Sequence, residues 1–197
     1  MRWLCFPLWL ALLLLPIQAS ADNLQLDSCI ADQVFLQPWL QTYDDAEGSL
    51  QFEDFRQLPA DKLSPMDTNY LRNSPTSTAL WLQFGIDNRA DSECRMWLFS
   101  GASRARDMRF YQHADGQWVQ AVAGQNWPLA QWESAVRLPA FELVVPPGQS
   151  RTFVLRMGEN PGKAMQPMLL STDELARMRT IETGVDGVAL ERYAGRP

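Results

Sequence analysis

The sequence predicts an all-β fold, an antiparallel β-sandwich or jelly roll with a short helix near the C-terminus. Three observations point to it. Apolar residues beyond position 21 recur with a period of two rather than 3.6. The alternating runs are short, and Gly, Pro, Asn and Asp turn signals separate them. Roughly seven or eight such runs follow one another, as an antiparallel two-layer protein requires. With 197 residues, 46% hydrophobic and 20% charged, the chain can build one domain around a real core.

Met1–Ala21 stands apart from that domain. Arg2 precedes an almost unbroken apolar run from Trp3 to Ile17, which ends in Ala19-Ser20-Ala21. This small-x-small pattern suits the narrow cleft of signal peptidase. The run is also shorter than the roughly 20 apolar residues of a membrane span. It reads as a cleaved secretory signal, with an uncleaved anchor as the other reading. Arg2 is the segment's sole charge, so the chain from Asp22 has a net charge of −7, against −6 for the whole sequence.

The clearest strand is Ala79–Ile86. Leu80, Leu82, Phe84 and Ile86 point to one face, and Ala79, Trp81, Gln83 and Gly85 to the other. Asp87-Asn88 ends it with turn chemistry. Further strands are expected at Gln33–Leu36 (stopped by Pro38), Arg95–Phe99, Met108–Gln112, Gln117–Ala121, Phe141–Val145, Arg151–Met157 and Met165–Leu170. Ala114-Asp115-Gly116 reads as a hairpin turn, and Pro146-Pro147-Gly148 forces a sharp reversal. Ser49–Leu58 has the pattern of a short helix capped by Ser49. Ser171-Thr172-Asp173-Glu174 has capping-box spacing and opens a helix to about Thr183. The expected division is a signal peptide over 1–21, a sandwich domain over 22–170 and a helical segment over 171–197.

The chemistry these residues support is binding rather than catalysis. An acidic chain repels phosphate backbones, so nucleic acid is not an expected partner. The sole histidine, His113, lies beside a predicted turn, and no Gly-x-Ser-x-Gly elbow accompanies it. A glycosidase would need only two carboxylates, but acidic residues are common on any surface. One His and two distant Cys do not make a zinc site. No cofactor is expected, with calcium the one metal to weigh: Asp44-Asp45-Ala46-Glu47-Gly48 offers oxygen ligands without the EF-hand alternation, and equally reads as a solvated acidic loop. Cys29 and Cys94 form an even pair suited to an oxidising compartment, either as a disulfide closing a loop of roughly 65 residues or as two buried thiols.

Aromatic residues supply the candidate site. Trp81 stands opposite the apolar face of its own strand, beside Gln83, and Tyr111 alternates with Phe110 on another strand. Trp127 and Trp132 fall in the polar segment Gly124–Glu133, followed by Arg137. Such rings stack on the apolar faces of sugars, while amide and guanidinium groups take the hydroxyls or a carboxylate. The bland reading is that the same rings cover the core.

The order of features is informative as a set. Tyr43-x-Asp45 and Leu50-x-x-x-Asp54 precede Ala79-Leu80-Trp81-Leu82-Gln83-Phe84 and Asn88. Trp97-Leu98 and Met108-Arg109-Phe110-Tyr111 follow, then Val136–Leu143, Pro-Pro-Gly and Thr152–Arg156. Over about residues 30 to 170 this resembles the second type of extracellular sensory domain (7TMR-DISM extracellular domain 2) in bacterial receptors with seven transmembrane helices and diverse intracellular signalling modules. The resemblance implies a jelly-roll sandwich similar to carbohydrate-binding modules, located in the periplasm. It implies a non-catalytic sensor serving a membrane signalling module; the aromatic residues make a carbohydrate-like ligand the expected one, and a second copy of the chain is a candidate partner. Gln83 stands where the family often has Arg. Thr183–Leu190 looks like the lead-in to a membrane helix. That module would lie in the same chain if the sequence is a fragment, and otherwise in a separate protein. A periplasmic interaction module without a small-molecule ligand is the alternative.

Overall fold

Two β-sheets pack face to face in a jelly-roll sandwich. The computed structural model describes residues 22–66, 78–101, 106–114, 116–134, 139–158 and 166–184. Residues 1–21, Arg137, Asp115 of the expected hairpin turn and the residues beyond 184 lie outside them.

The strands are β1 (Leu24–Leu26), β2 (Gln33–Phe35), β3 (Gln41–Asp45), β4 (Ser64–Pro65), β5 (Ala79–Asn88), β6 (Cys94–Phe99), β7 (Asp107–Ala114), β8 (Gln117–Ala123), β9 (Ala140–Val145), β10 (Ser150–Gly158) and β11 (Met168–Leu170). The larger sheet runs β4-β3-β5-β10-β7-β8, with β1 alongside β5; the smaller runs β2-β11-β6-β9. Every pairing is antiparallel except β1 with β5. Helix α1 (Phe52–Phe55) and helix α2 (Thr172–Gly184) complete the described elements, apart from 3₁₀ turns.

The period-two pattern places the core. Leu80, Leu82, Phe84 and Ile86 of β5 meet Met96 and Leu98 of β6 and Phe141, Leu143 and Val145 of β9 between the sheets. A row of rings crosses this layer: Phe84 lies 5.3 Å from Phe153, Phe153 6.0 Å from Phe110, and Phe110 5.2 Å from Phe141. Asn88 ties the end of β5 to its surroundings. Its Nδ2 donates to the Ser92 and Val145 carbonyls, and its Oδ1 accepts from the Ala90 N–H. The Pro146–Gln149 reversal turns through Gly148 at φ 67°, where a side chain would be strained.

The structure departs from the sequence reading at short elements. β1, β3 and β4 differ from the sequence expectation, because two to five residues carry too little alternation to be seen. The acidic run 44–48 is the end of β3 and its turn. The buried Asp45 carboxylate accepts N–H groups of Gly48 (2.8 Å) and Leu50 (3.0 Å), which turns the chain toward α1. Among the described residues, no three His, Cys, Asp or Glu side chains converge as a metal site would need. The helix expected over Ser49–Leu58 shrinks to Phe52–Phe55, with Gln51 rather than Ser49 at its N-cap. Helix α2 begins where the capping pattern places it: the Ser171 Oγ accepts the Glu174 N–H at 3.1 Å. Leu175 and Met178 of α2 pack on Phe99, Met168, Leu170 and Trp97 over the outer face of the smaller sheet.

Candidate ligand face

Strand register brings the chemistry-bearing residues together on the outer face of the larger sheet. Along one cross-strand row stand Tyr43, Trp81, Arg156, Arg109 and Val122; along the next, Gln41, Gln83, Val154, Tyr111 and Gln120. Asp107, two residues before Arg109, faces Gly158. Each of these strands offers its alternate, non-core residues to this face.

Half of the face is closed. The chain from Leu50 to Leu63 lies across it and forms a second, smaller core with Trp81, Tyr111 and Val154. Phe55 stacks on Trp81 at 4.6 Å and 10°, and Phe52 stacks on Tyr111 at 4.0 Å and 3°. Arg56 lies over the Phe52 ring at 5.6 Å and the Trp118 ring at 5.3 Å. Trp81 is consequently 0% exposed. It occupies the face that alternation predicts, but it is a packed residue and presents no ring to a ligand in this conformation. Its buried Nε1 has no hydrogen-bond partner among the described residues.

The other half is polar. Asp107 Oδ1 accepts from Trp127 Nε1 (2.8 Å) and Arg109 Nε (3.3 Å), and Oδ2 accepts from Arg156 Nη1 (2.8 Å). Arg156 Nη2 donates to the Gly48 carbonyl at 2.9 Å, and its guanidinium lies over the Trp81 ring at 5.7 Å. Gly158 makes this approach possible: a Cβ there would stand 2.7 Å from Arg156 Nη1. Arg109 lies over the Trp127 ring at 5.7 Å. Burial pushes the Tyr111 phenol above its ordinary value, opposed by the charges of Arg109 and Arg156 and by a hydrogen bond from Arg109. The phenol therefore stays protonated at neutral pH.

Two guanidinium groups thus share one carboxylate, leaving a positive charge beside two aromatic walls. The side chain of Arg156 is 12% exposed and that of Asp107 9%, whereas that of Arg109 is 35% exposed. Arg109 is the member of the cluster that solvent reaches, held in place by Asp107, Tyr111 and Trp127.

Of the residues singled out in the sequence, Trp81, Gln83 and Tyr111 share this face, and Trp127 closes over its Arg109 end. Trp132 does not join them. It packs against the main core, and its Nε1 donates to the Trp127 carbonyl at 3.1 Å, steadying the loop that carries Trp127. Arg137 lies outside the described residues. Sequence reasoning missed Asp107, Arg109, Arg156 and Phe52. The alternation within Asp107–Tyr111 and Thr152–Arg156 carries the signal for the charged three, since each sits opposite a core residue of its own strand. Cys29 and Cys94 are disulfide-bonded, with Cα atoms 5.2 Å apart.

The fold is a β-sandwich with an aromatic and guanidinium surface on its larger sheet. Residues 37–172 match the family model described as 7TMR-DISM extracellular 2. The chain belongs to that family, the extracellular sensory domains of seven-transmembrane receptors. No curated protein matches the sequence. Among solved structures, it is similar to a beta-glucosidase from Kluyveromyces marxianus in complex with glucose (13% identity, TM-score 0.33, covering 72% of this chain and 16% of that one). It is also similar to the GH31 alpha-xylosidase from Xanthomonas citri (18% identity, TM-score 0.31, covering 69% of this chain and 14% of that one). The chain spans less than a fifth of either protein.

Proposed function

We propose that this chain is the periplasmic ligand-sensing domain of a bacterial membrane receptor. On this reading residues 1–21 direct export, residues 22–170 recognise a carbohydrate-type ligand without catalysis, and residues 171–197 lead toward the membrane signalling module. Family membership supports the receptor role. The observation that carries the ligand reading is Arg109, preorganised by Asp107 and Tyr111 against the Trp127 ring and partly exposed. Such a fork takes a pair of sugar hydroxyls or a carboxylate, while an aromatic ring takes an apolar sugar face. Gln83 lies half-buried on the same face, whereas Tyr111, expected as a ligand contact, is buried under Phe52 and acts by supporting Arg109.

A glycan array probed with the full chain, followed by calorimetry on any glycan retained, tests this. Trp127→Ala and Arg109→Ala are expected to lose binding, by about tenfold or more each, with the fold intact by circular dichroism. A full chain that retains no neutral or acidic glycan refutes the carbohydrate reading. The second reading, a periplasmic interaction module without a small-molecule ligand, is favoured by the closure of the Trp81 end under Phe52 and Phe55.

A further inference from the structure

Five strands, β1, β2, β4, β8 and β9, pair on one side only among the described residues, and they are not treated alike; β1 has three residues. β4 is two residues long and contains Pro65; β2 has three residues. β9 is longer, but side chains plug its outward backbone. Glu133 Oε2 accepts the Glu142 N–H at 3.0 Å, and Gln112 Nε2 donates to the Glu142 carbonyl at 3.0 Å. Short strands, proline and side-chain plugs are the devices by which sheet edges avoid pairing with other chains.

β8 carries none of them. Gln117-Trp118-Val119-Gln120-Ala121-Val122-Ala123 has no charge, no proline and no glycine. It pairs with β7 on one side. Among the described residues, nothing bonds the backbone groups on its other side. Three large hydrophobic side chains are markedly exposed among the described residues: Phe35, Val119 (36%) and Leu129 (47%). Val119 lies on β8, and Leu129 opens the 3₁₀ turn packed beside it.

We infer that β8 is the seam of a two-fold homodimer, in which the β8 strands of two copies pair antiparallel and join the larger sheets into one. This goes beyond the ligand reading and does not depend on it. Charge favours a second copy as the occupant. The chain is acidic, with a net charge of −6, and an uncharged edge lets two copies meet without opposing like charges. The strand is also self-complementary, as a two-fold interface requires. With Gln120 on the axis it meets its own copy, and Trp118 meets Val122, Val119 meets Ala121 and Gln117 meets Ala123. Each large side chain faces a smaller one, and Val119 leaves water.

Sedimentation of the purified full chain and of two charge variants tests the seam. The unaltered protein is expected to dimerise with rising concentration. Gln120→Lys and Gln120→Glu each place like charges directly opposite across the axis, and each is expected to raise the dimer dissociation constant by about tenfold or more. Mixing the two variants pairs Lys with Glu and should restore dimers. Gln120 is exposed, so both variants should melt as the unaltered protein does. A protein that stays monomeric overturns the proposal and leaves the edge to a strand of another protein. Single variants that dimerise normally, or a mixture that stays monomeric, overturn it as well.

Discussion

Trp81 shows how a residue's surroundings decide its role. An indole on the non-core side of a strand is a stacking platform if the face is open and a packing residue if something lies across it. Here Phe55 lies flat on the ring, and the Arg156 guanidinium stands over it. Trp81→Ala should therefore cost about 3–5 kcal/mol of stability, the range for emptying a packed aromatic site. A denaturant titration of the variant checks this; a loss well under about 1 kcal/mol would mean that the ring is not packed. The Asp107 cluster follows the same logic. Its carboxylate anchors Arg156, whose exposure is slight, and orients Arg109, whose exposure is larger. Breaking a mostly buried ion pair leaves a charge without its partner, whereas the exposed Arg177–Asp32 pair contributes little.

At the scale of elements, short strands depend on specific contacts more than on length. β1 has three residues and pairs parallel with the end of β5. Asn23, just before it, donates from Nδ2 to the Asp87 carboxylate at 2.7 Å, and Gly85 leaves the room that the Asn23 side chain fills. Hydrogen bonds from Ser150 and then Asn23 hold the Asp87 carboxyl below the ordinary aspartate value of 3.8. The folded protein thus binds this proton less readily than the unfolded chain does. The resulting stabilisation is complete above the unfolded value and is lost as pH falls through the folded one. The melting temperature should fall between about pH 5 and about pH 2 by a smaller amount in Asp87→Asn than in the unaltered protein. Equal falls in the two proteins would show that Asp87 contributes nothing to acid sensitivity.

For the whole molecule, the two layers are joined by packing and by one covalent link. Cys29 follows β1, which lies on the larger sheet, and Cys94 opens β6 of the smaller sheet, 65 residues apart in sequence. Closing a loop of that length should contribute about 4 kcal/mol in the chain-entropy account. Replacing both cysteines with Ser should lower the melting temperature by several degrees or more, and thiol labelling of the denatured, unreduced protein should find neither residue reactive. An unchanged melting temperature would mean that the link carries no stability. Helix α2 covers the outer face of the smaller sheet, while the Leu50–Leu63 segment covers part of the larger one. Among the described residues, the Arg109 end of the larger sheet and the β8 edge lie outside both covers.

Which of these features are visible before folding depends on how local their causes are. The two-layer β class, the strand from Ala79 to Ile86, the reversal at Pro146–Gly148 and the helix opening at Ser171 follow from alternation and capping, which act over a few residues; the strand runs two residues further, to Asn88. The face on which Trp81, Gln83 and Tyr111 stand follows from the same alternation. The partners on that face do not. Arg156 sits beside Trp81 and Arg109 because β5, β10 and β7 are neighbours, and a strand order of that kind brings together residues up to 79 positions apart. The burial of Trp81 rests on Phe52 and Phe55, which reach it from a four-residue helix too short to announce its destination. Sequence alone determines which side of each strand is polar; only the tertiary structure decides what covers that side, because long-range strand pairing and loop placement are set by packing of the whole chain.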